Sequence, residues 1–136
     1  MKRNLLIAAA LALLGITAAS AQTVNVKANV PFSFTVNRAT LPAGEYSLKS
    51  MDEQGTALAI RDLNSKTANL VISNPCRSSK PASQTKLVFH RYGNHYFLSQ
   101  IWIAGDAAGR ELPPSAGEKE VAKDFSMQQV VLVANR

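Results

Sequence analysis

Thr85-Lys86-Leu87-Val88-Phe89-His90-Arg91-Tyr92-Gly93-Asn94-His95-Tyr96-Phe97-Leu98-Ser99-Gln100-Ile101-Trp102-Ile103 is the stretch that decides the fold. Two runs rich in β-branched and aromatic residues flank Gly93-Asn94, and a two-residue connection of that kind favours a hairpin with a primed turn. Successive side chains of a strand point to opposite faces. Strict alternation therefore puts Phe97, Ile101 and Ile103 on one face, and Tyr96, Leu98 and Trp102 on the other. A strand that is apolar on both faces must be covered twice. One cover is an opposing sheet; the other is a further part of this chain or a partner.

The same period of two runs outward from the hairpin. Val24, Val26 and Ala28 alternate with polar residues, as do Phe32, Phe34 and Val36. Pro31 separates these runs into two strands, or bends one, because proline cannot serve a central ladder. Turn chemistry at 41–44, 52–55 and 64–66 divides the next strands, which carry Tyr46 and Leu48, Leu58 and Ile60, and Leu70 and Ile72. Gln129–Ala134 closes the series. Strands recurring at about 10 to 12 residues indicate a sandwich or barrel. The expectation is a single all-β domain over 22–136, a Greek-key-like sandwich of seven or eight strands. A small partly closed barrel is the alternative.

Two segments depart from the alternation. Asn74–Gln84 is rich in Pro, Ser and basic residues and reads as a long loop. Ser115-Ala116-Gly117-Glu118 fits a capping box, in which the Ser115 hydroxyl and the Glu118 carboxylate each satisfy an amide at a helix start. It predicts a short helix near 116–124 that covers a sheet face through Val121, with Phe125 beyond.

Leu41-Pro42-Ala43-Gly44-Glu45-Tyr46 resembles the tyrosine corner of Greek-key sandwiches. Gly44 gives the turn its freedom, and the Tyr46 hydroxyl is expected to bond backbone within 41–43.

At the amino end, Lys2 and Arg3 precede an apolar run, Leu5–Ile16, and Ala19-Ser20-Ala21 has the small-x-small form of a cleavage site. Residues 1–21 read as a secretory signal peptide cut before Gln22. The run is shorter than the roughly 20 apolar residues of a spanning helix. No membrane insertion is expected after cleavage. The exported product would be periplasmic or extracellular. Cleavage takes 15 Lys and Arg to 13 against 9 Asp and Glu, so the charge falls from +6 to +4. The remaining cations are scattered and specify no nucleic-acid partner.

Candidate functional residues are few. Cys76 is the one cysteine, and in an oxidising compartment it pairs with another chain or stays shielded. Arg77 beside it would lower the thiol pKa. His90 and His95 flank the hairpin turn and fall on one face, but no third ligand makes them a metal site. Tyr96 and Trp102, with Tyr92 and Phe97, form an aromatic cluster that is either core or a stacking surface for sugars. No nucleophile motif, zinc-protease motif or phosphate loop occurs. No cofactor is implied.

Val30-Pro31-Phe32-Ser33-Phe34, Leu41–Tyr46, Arg91-Tyr92-Gly93-Asn94-His95-Tyr96-Phe97-Leu98, Ile101-Trp102 and Gly109-Arg110-Glu111-Leu112-Pro113 together resemble a group of uncharacterised small exported bacterial proteins. The likeness spans about residues 28–123. It implies an exported single domain and carries over no site residues. The leading expectation is an exported, non-enzymatic β module that binds an envelope or extracellular protein or glycan. A small hydrolase acting on carbohydrate or another substrate through Asp or Glu is the first alternative. A small-ligand carrier is the second.

Overall fold

The computed structural model describes residues 23–136, so the export segment read from residues 1–21 lies outside the described residues. Along the chain come β1 (Asn25–Val30), β2 (Phe34–Val36), β3 (Ala39–Leu41), β4 (Gly44–Ser50), β5 (Ala57–Asp62) and β6 (Ala68–Ile72). They are followed by β7 (Asn74–Arg77), β8 (Lys86–Tyr92), β9 (His95–Trp102), β10 (Ala108–Glu111), α1 (Ala116–Val121) and β11 (Met127–Val133). One sheet has the order β1-β4-β5-β6. The other runs β11-β8-β9-β10-β7, with β2 joined to β9 and β3 to β2.

Two sheets closed on a shared core make this a β-sandwich and not a barrel. From the first sheet, Val26, Tyr46, Leu48, Leu58, Ile60 and Val71 enter that core; from the second come Phe34, Leu87, Phe89, Leu98 and Ile101. Burying a large apolar side chain is worth about 1.5–3 kcal/mol, so the alternation along each strand stabilises the pairing of the sheets. After β10 the chain crosses through α1 and returns to set β11 beside β8, the 4-1-2-3 order of a Greek key.

The strands exceed the expected seven or eight because β2, β3, β7 and β10 are only three or four residues long. The expected loop at 74–84 is the clearest case. Its first four residues form β7, whose Cys76 and Pro75 pair with Gly109 and Arg110 of β10. β7 lies at a sheet edge, where a missing proline N–H costs no central ladder bond. β10 begins at Ala108 and takes in Gly109.

The face assignment of the hairpin is also corrected. Phe89 pairs with Leu98 but Val88 pairs with Gln100, so Ser99 is an extra residue in β9. A bulge of this kind reverses the facing of everything after it. Tyr96, Leu98, Ile101 and Ile103 consequently all meet the core. Phe97, Gln100 and Trp102 lie on the outer face, across from Val88 and His90 of β8 and from Lys86.

The turn itself is of the primed class. Gly93 has φ +60°, and Asn94 is not among the residues with positive φ, which matches type II′.

Candidate functional site

The outer face of the hairpin is covered by the chain itself, and the cover is polar. α1 begins at Ser115, whose side-chain oxygen accepts the Glu118 N–H at 3.2 Å. That is half of the expected capping box. The Glu118 carboxylate does not turn back to the cap but points into the sheet. It accepts the Tyr92 hydroxyl at 2.9 Å and lies 2.9 Å from His90 Nδ1. Glu118 is only 6% exposed and is the buried residue of the helix. Val121, the expected apolar contact, is half-buried, and Phe125 is exposed.

A carboxylate this buried needs hydrogen-bond partners, and here two side chains of one strand supply them. Tyr92 and His90 are two apart in β8 and so share a face. Burial first, and then the bond to Glu118 and its charge, push the Tyr92 phenol up to about 12. The Tyr92 ring also meets Phe97 edge to face at 5.9 Å. The arrangement clamps α1 onto the sheet.

The other predicted residues are spread over the molecule. Tyr46 donates its hydroxyl to the Pro42 carbonyl, within the 41–43 segment named by the corner motif, and Gly44 opens β4 beside it. Across the ladder from Tyr46, Asp62 accepts the Asn64 N–H at 2.9 Å, and that bond above all holds its carboxyl below the usual range. Burial, and then the charge of Asp62, push the Tyr46 phenol up. This pair fixes a corner of the fold.

Cys76 is half-buried in β7. Burial, with Glu111 nearby, pushes its thiol up, opposite to the lowering expected from Arg77. Arg110, not Arg77, is the cation that acts on it, and its effect is outweighed. A raised thiol pKa means less thiolate and a less reactive sulfur.

His95 is exposed, with its ring 6.3 Å from that of Phe125, and it does not join the Glu118 cluster. Among the described residues no group of three His, Cys, Asp or Glu side chains gathers to hold a metal ion. Tyr96 is stacked on Phe32 at 3.9 Å, with the Arg91 guanidinium over its ring. Trp102 is 8% exposed and packs over Gly109, where a Cβ would lie 2.7 Å from the indole. Its indole N–H donates to Gln100 Oε1 at 3.0 Å. Both rings are therefore packing residues and offer no open stacking surface.

Two features escaped the sequence reading. Arg110 is buried, and it joins the sheets at one end through Ser73 Oγ at 2.9 Å and the Ser73 carbonyl at 2.7 Å. The large exposed apolar residues lie outside the hairpin, mostly on the two edge strands: Leu70 and Ile72 on β6 and three residues on β11, with Met51 and Phe125 in connections. Met127, Val131 and Val133 are 49%, 52% and 59% exposed in one row on the outer face. β11 ends its sheet, so one side of its backbone is open. Its sequence, Met127-Gln128-Gln129-Val130-Val131-Leu132-Val133, contains no charge and no proline. Such blunting devices are what edge strands ordinarily carry.

A cleft of about 610 Å³ opens elsewhere, between the β2–β3 turn, β6 and the start of α1, with Arg38, Asn69 and Leu70 among its walls. No described helix is long and apolar enough to cross a membrane. Compared with protein-family models, with curated proteins and with solved structures, this chain matches none of them.

Proposed function

We propose that this chain is an exported β-sandwich module that works by non-covalent association, in the periplasm or outside the cell, through the open edge of β11. One observation carries the reading: an uncharged edge strand that holds Met127, Val131 and Val133 exposed on one face. Unpaired N–H and C=O groups along an edge recognise another strand, and an apolar row beside them adds burial. The export half of the proposal rests on residues 1–21 and their cleavage pattern.

The test places a photo-crosslinking residue at Gln129, on the same face, and a second at Lys49, exposed on β4 of the other sheet. Both variants are expressed with residues 1–21 in a Gram-negative host. The expected result is a mature mass beginning at Gln22 in the periplasmic or culture fraction, with crosslinked products from Gln129 and few from Lys49. An uncut mass in the cytoplasm would sink the export half. Equal crosslinking from the two positions would sink the edge.

A second reading, the small-ligand carrier, is favoured by the cleft beside Arg38. Its size suits a small ligand, but it opens to solvent at the side of the sandwich. The test is a thermal-shift screen of small carboxylates in which the Arg38→Ala variant loses any shift seen. The hydrolase reading draws less support, since the buried Glu118 has its carboxylate bonded to Tyr92 and His90.

A further inference from the structure

We propose that β11 pairs edge to edge with β11 of a second copy of this chain, antiparallel, with the two-fold axis passing through Gln129. This rests on the association reading above and names the partner.

The direction of the backbone groups follows from one bond. The Ala134 N–H donates to the Thr85 carbonyl at 2.9 Å, in line with the ladder to β8. In an antiparallel ladder, residues alternate between bonding one neighbour and facing the other. Gln128, Val130 and Leu132 therefore also turn their N–H and C=O toward β8. Met127, Gln129, Val131 and Val133 turn theirs outward.

Asn135 is the next residue in the outward series, and it shows what this edge accepts. Its N–H and C=O exchange bonds of 2.8 Å with Lys27 of β1. β1 is hydrogen-bonded there at that single bridge just beyond the end of β11, approaches β11 itself without a ladder, and pairs along its length with β4. A ladder is started at Asn135 and left open from Val133 back to Met127.

The sequence of the strand selects a copy of itself. With Gln129 facing Gln129, Met127 faces Val131 of the second copy, and Val131 faces its Met127. Apolar then meets apolar on the outer face, and at the centre two side-chain amides can bond each other. Shifting the axis to Val130 would set Gln129 against Val131 and push the partner toward β1. Charge points the same way: residues 22–136 carry a net +4, which repels a second copy over most of the surface, but β11 has no charge to contribute. Two-fold pairing is also closed, so it ends at a dimer and does not propagate as a fibre.

The register is testable by crosslinking. In a hydrogen-bonded antiparallel pair the Cα atoms are about 5.5 Å apart, within disulfide range. Gln129 and its neighbour Gln128 are both exposed, so cysteine at either position leaves the fold intact. In residues 22–136 carrying Cys76→Ser, Gln129→Cys is expected to form a covalent dimer under mild oxidation about tenfold faster than Gln128→Cys, which faces Val130 of the copy. The unmodified mature chain should double in mass by sedimentation as its concentration rises. Val131→Lys, on the exposed face, should stay monomeric with an unchanged circular dichroism spectrum.

A monomer mass at every concentration overturns the self-pairing, and so does equal crosslinking at 128 and 129. If the chain is monomeric yet Gln129 still crosslinks to a different protein in the exported fraction, the self-pairing falls and edge association stands. If neither occurs, both fall.

Discussion

Glu118 is placed by Ser115 and used by β8. The helix cap was legible in the sequence because Ser-x-x-Glu is a local pattern, but the carboxylate's destination depends on which face of a distant strand passes beneath it. The Tyr92 phenol reports that contact. Its folded pKa of about 12 lies above its ordinary 10.0, so the native state holds the proton more tightly than the unfolded chain does. The contribution is fully present below pH 10 and is lost as pH rises through 12. Unfolding by denaturant should show a falling midpoint across that window in the wild type and a flatter one in Tyr92→Phe. In Glu118→Gln the carboxylate charge is gone but the burial remains. The phenolate absorbance should then titrate lower than in the wild type, though still above the ordinary value. A midpoint unmoved by Glu118→Gln would mean that the contact with Glu118 contributes nothing. Arg110 illustrates the opposite limit of reading residues. Of its partners, Gln54 lies in the β4–β5 turn of the other sheet and Ser73 is the one residue between β6 and β7, where the chain changes sheets, and nothing near Arg110 in sequence marks it as buried.

At the scale of elements, the hairpin is the best-read part of the chain and also the source of an error. Both strands, the turn and the pairing of Tyr92 with His95 follow from Gly93-Asn94 between apolar runs. The bulge at Ser99 does not, because an inserted residue leaves the composition of a strand unchanged while reversing its faces. That one residue turns an apparent two-faced apolar strand into a core face of Tyr96, Leu98 and Ile101 and an outer face that α1 and Gly109 cover. The short strands β7 and β10 were missed for a related reason: each is held by its neighbour and has no alternation of its own. The turn carries a direct prediction. Gly93 has φ +60°, and a Cβ there would lie 3.1 Å from the Phe125 ring, so alanine is opposed by both conformation and contact. Gly93→Ala should cost about 1 kcal/mol or more in denaturant unfolding. With Phe125→Ala already present, the same change should cost less, by the steric part alone. Equal costs in the two backgrounds would show that the ring gives way freely.

At the scale of the molecule, the two sheets share a core, and polar contacts tie them at its ends. One tie is Arg110 at one end. Another is the bridge between Lys27 of β1 and Asn135, where the last residues of the chain pass from one sheet to the other. Removing residues 134–136 would delete both Lys27–Asn135 bonds and the Ala134–Thr85 bond, and would uncover the space filled by the buried Ala134. Backbone bonds of this kind are worth about 0.5–1.5 kcal/mol each, so a loss of about 2–4 kcal/mol is expected. Because the core is continuous, that loss should appear as one cooperative transition shifted to lower denaturant. Far-ultraviolet circular dichroism, which sees both sheets, and Trp102 fluorescence, which sees only the second, should shift together. If the truncated chain keeps the Trp102 transition in place while the circular dichroism signal moves, the sheets unfold separately and the bridge is not what couples them. The truncation would leave the outward groups of Met127, Gln129, Val131 and Val133 in place, because the only outward rung it removes is Asn135. A truncated chain that is less stable yet dimerises at the same concentration as the full one would therefore separate the two roles of this end of the chain, closing the sandwich on one side and offering an edge on the other.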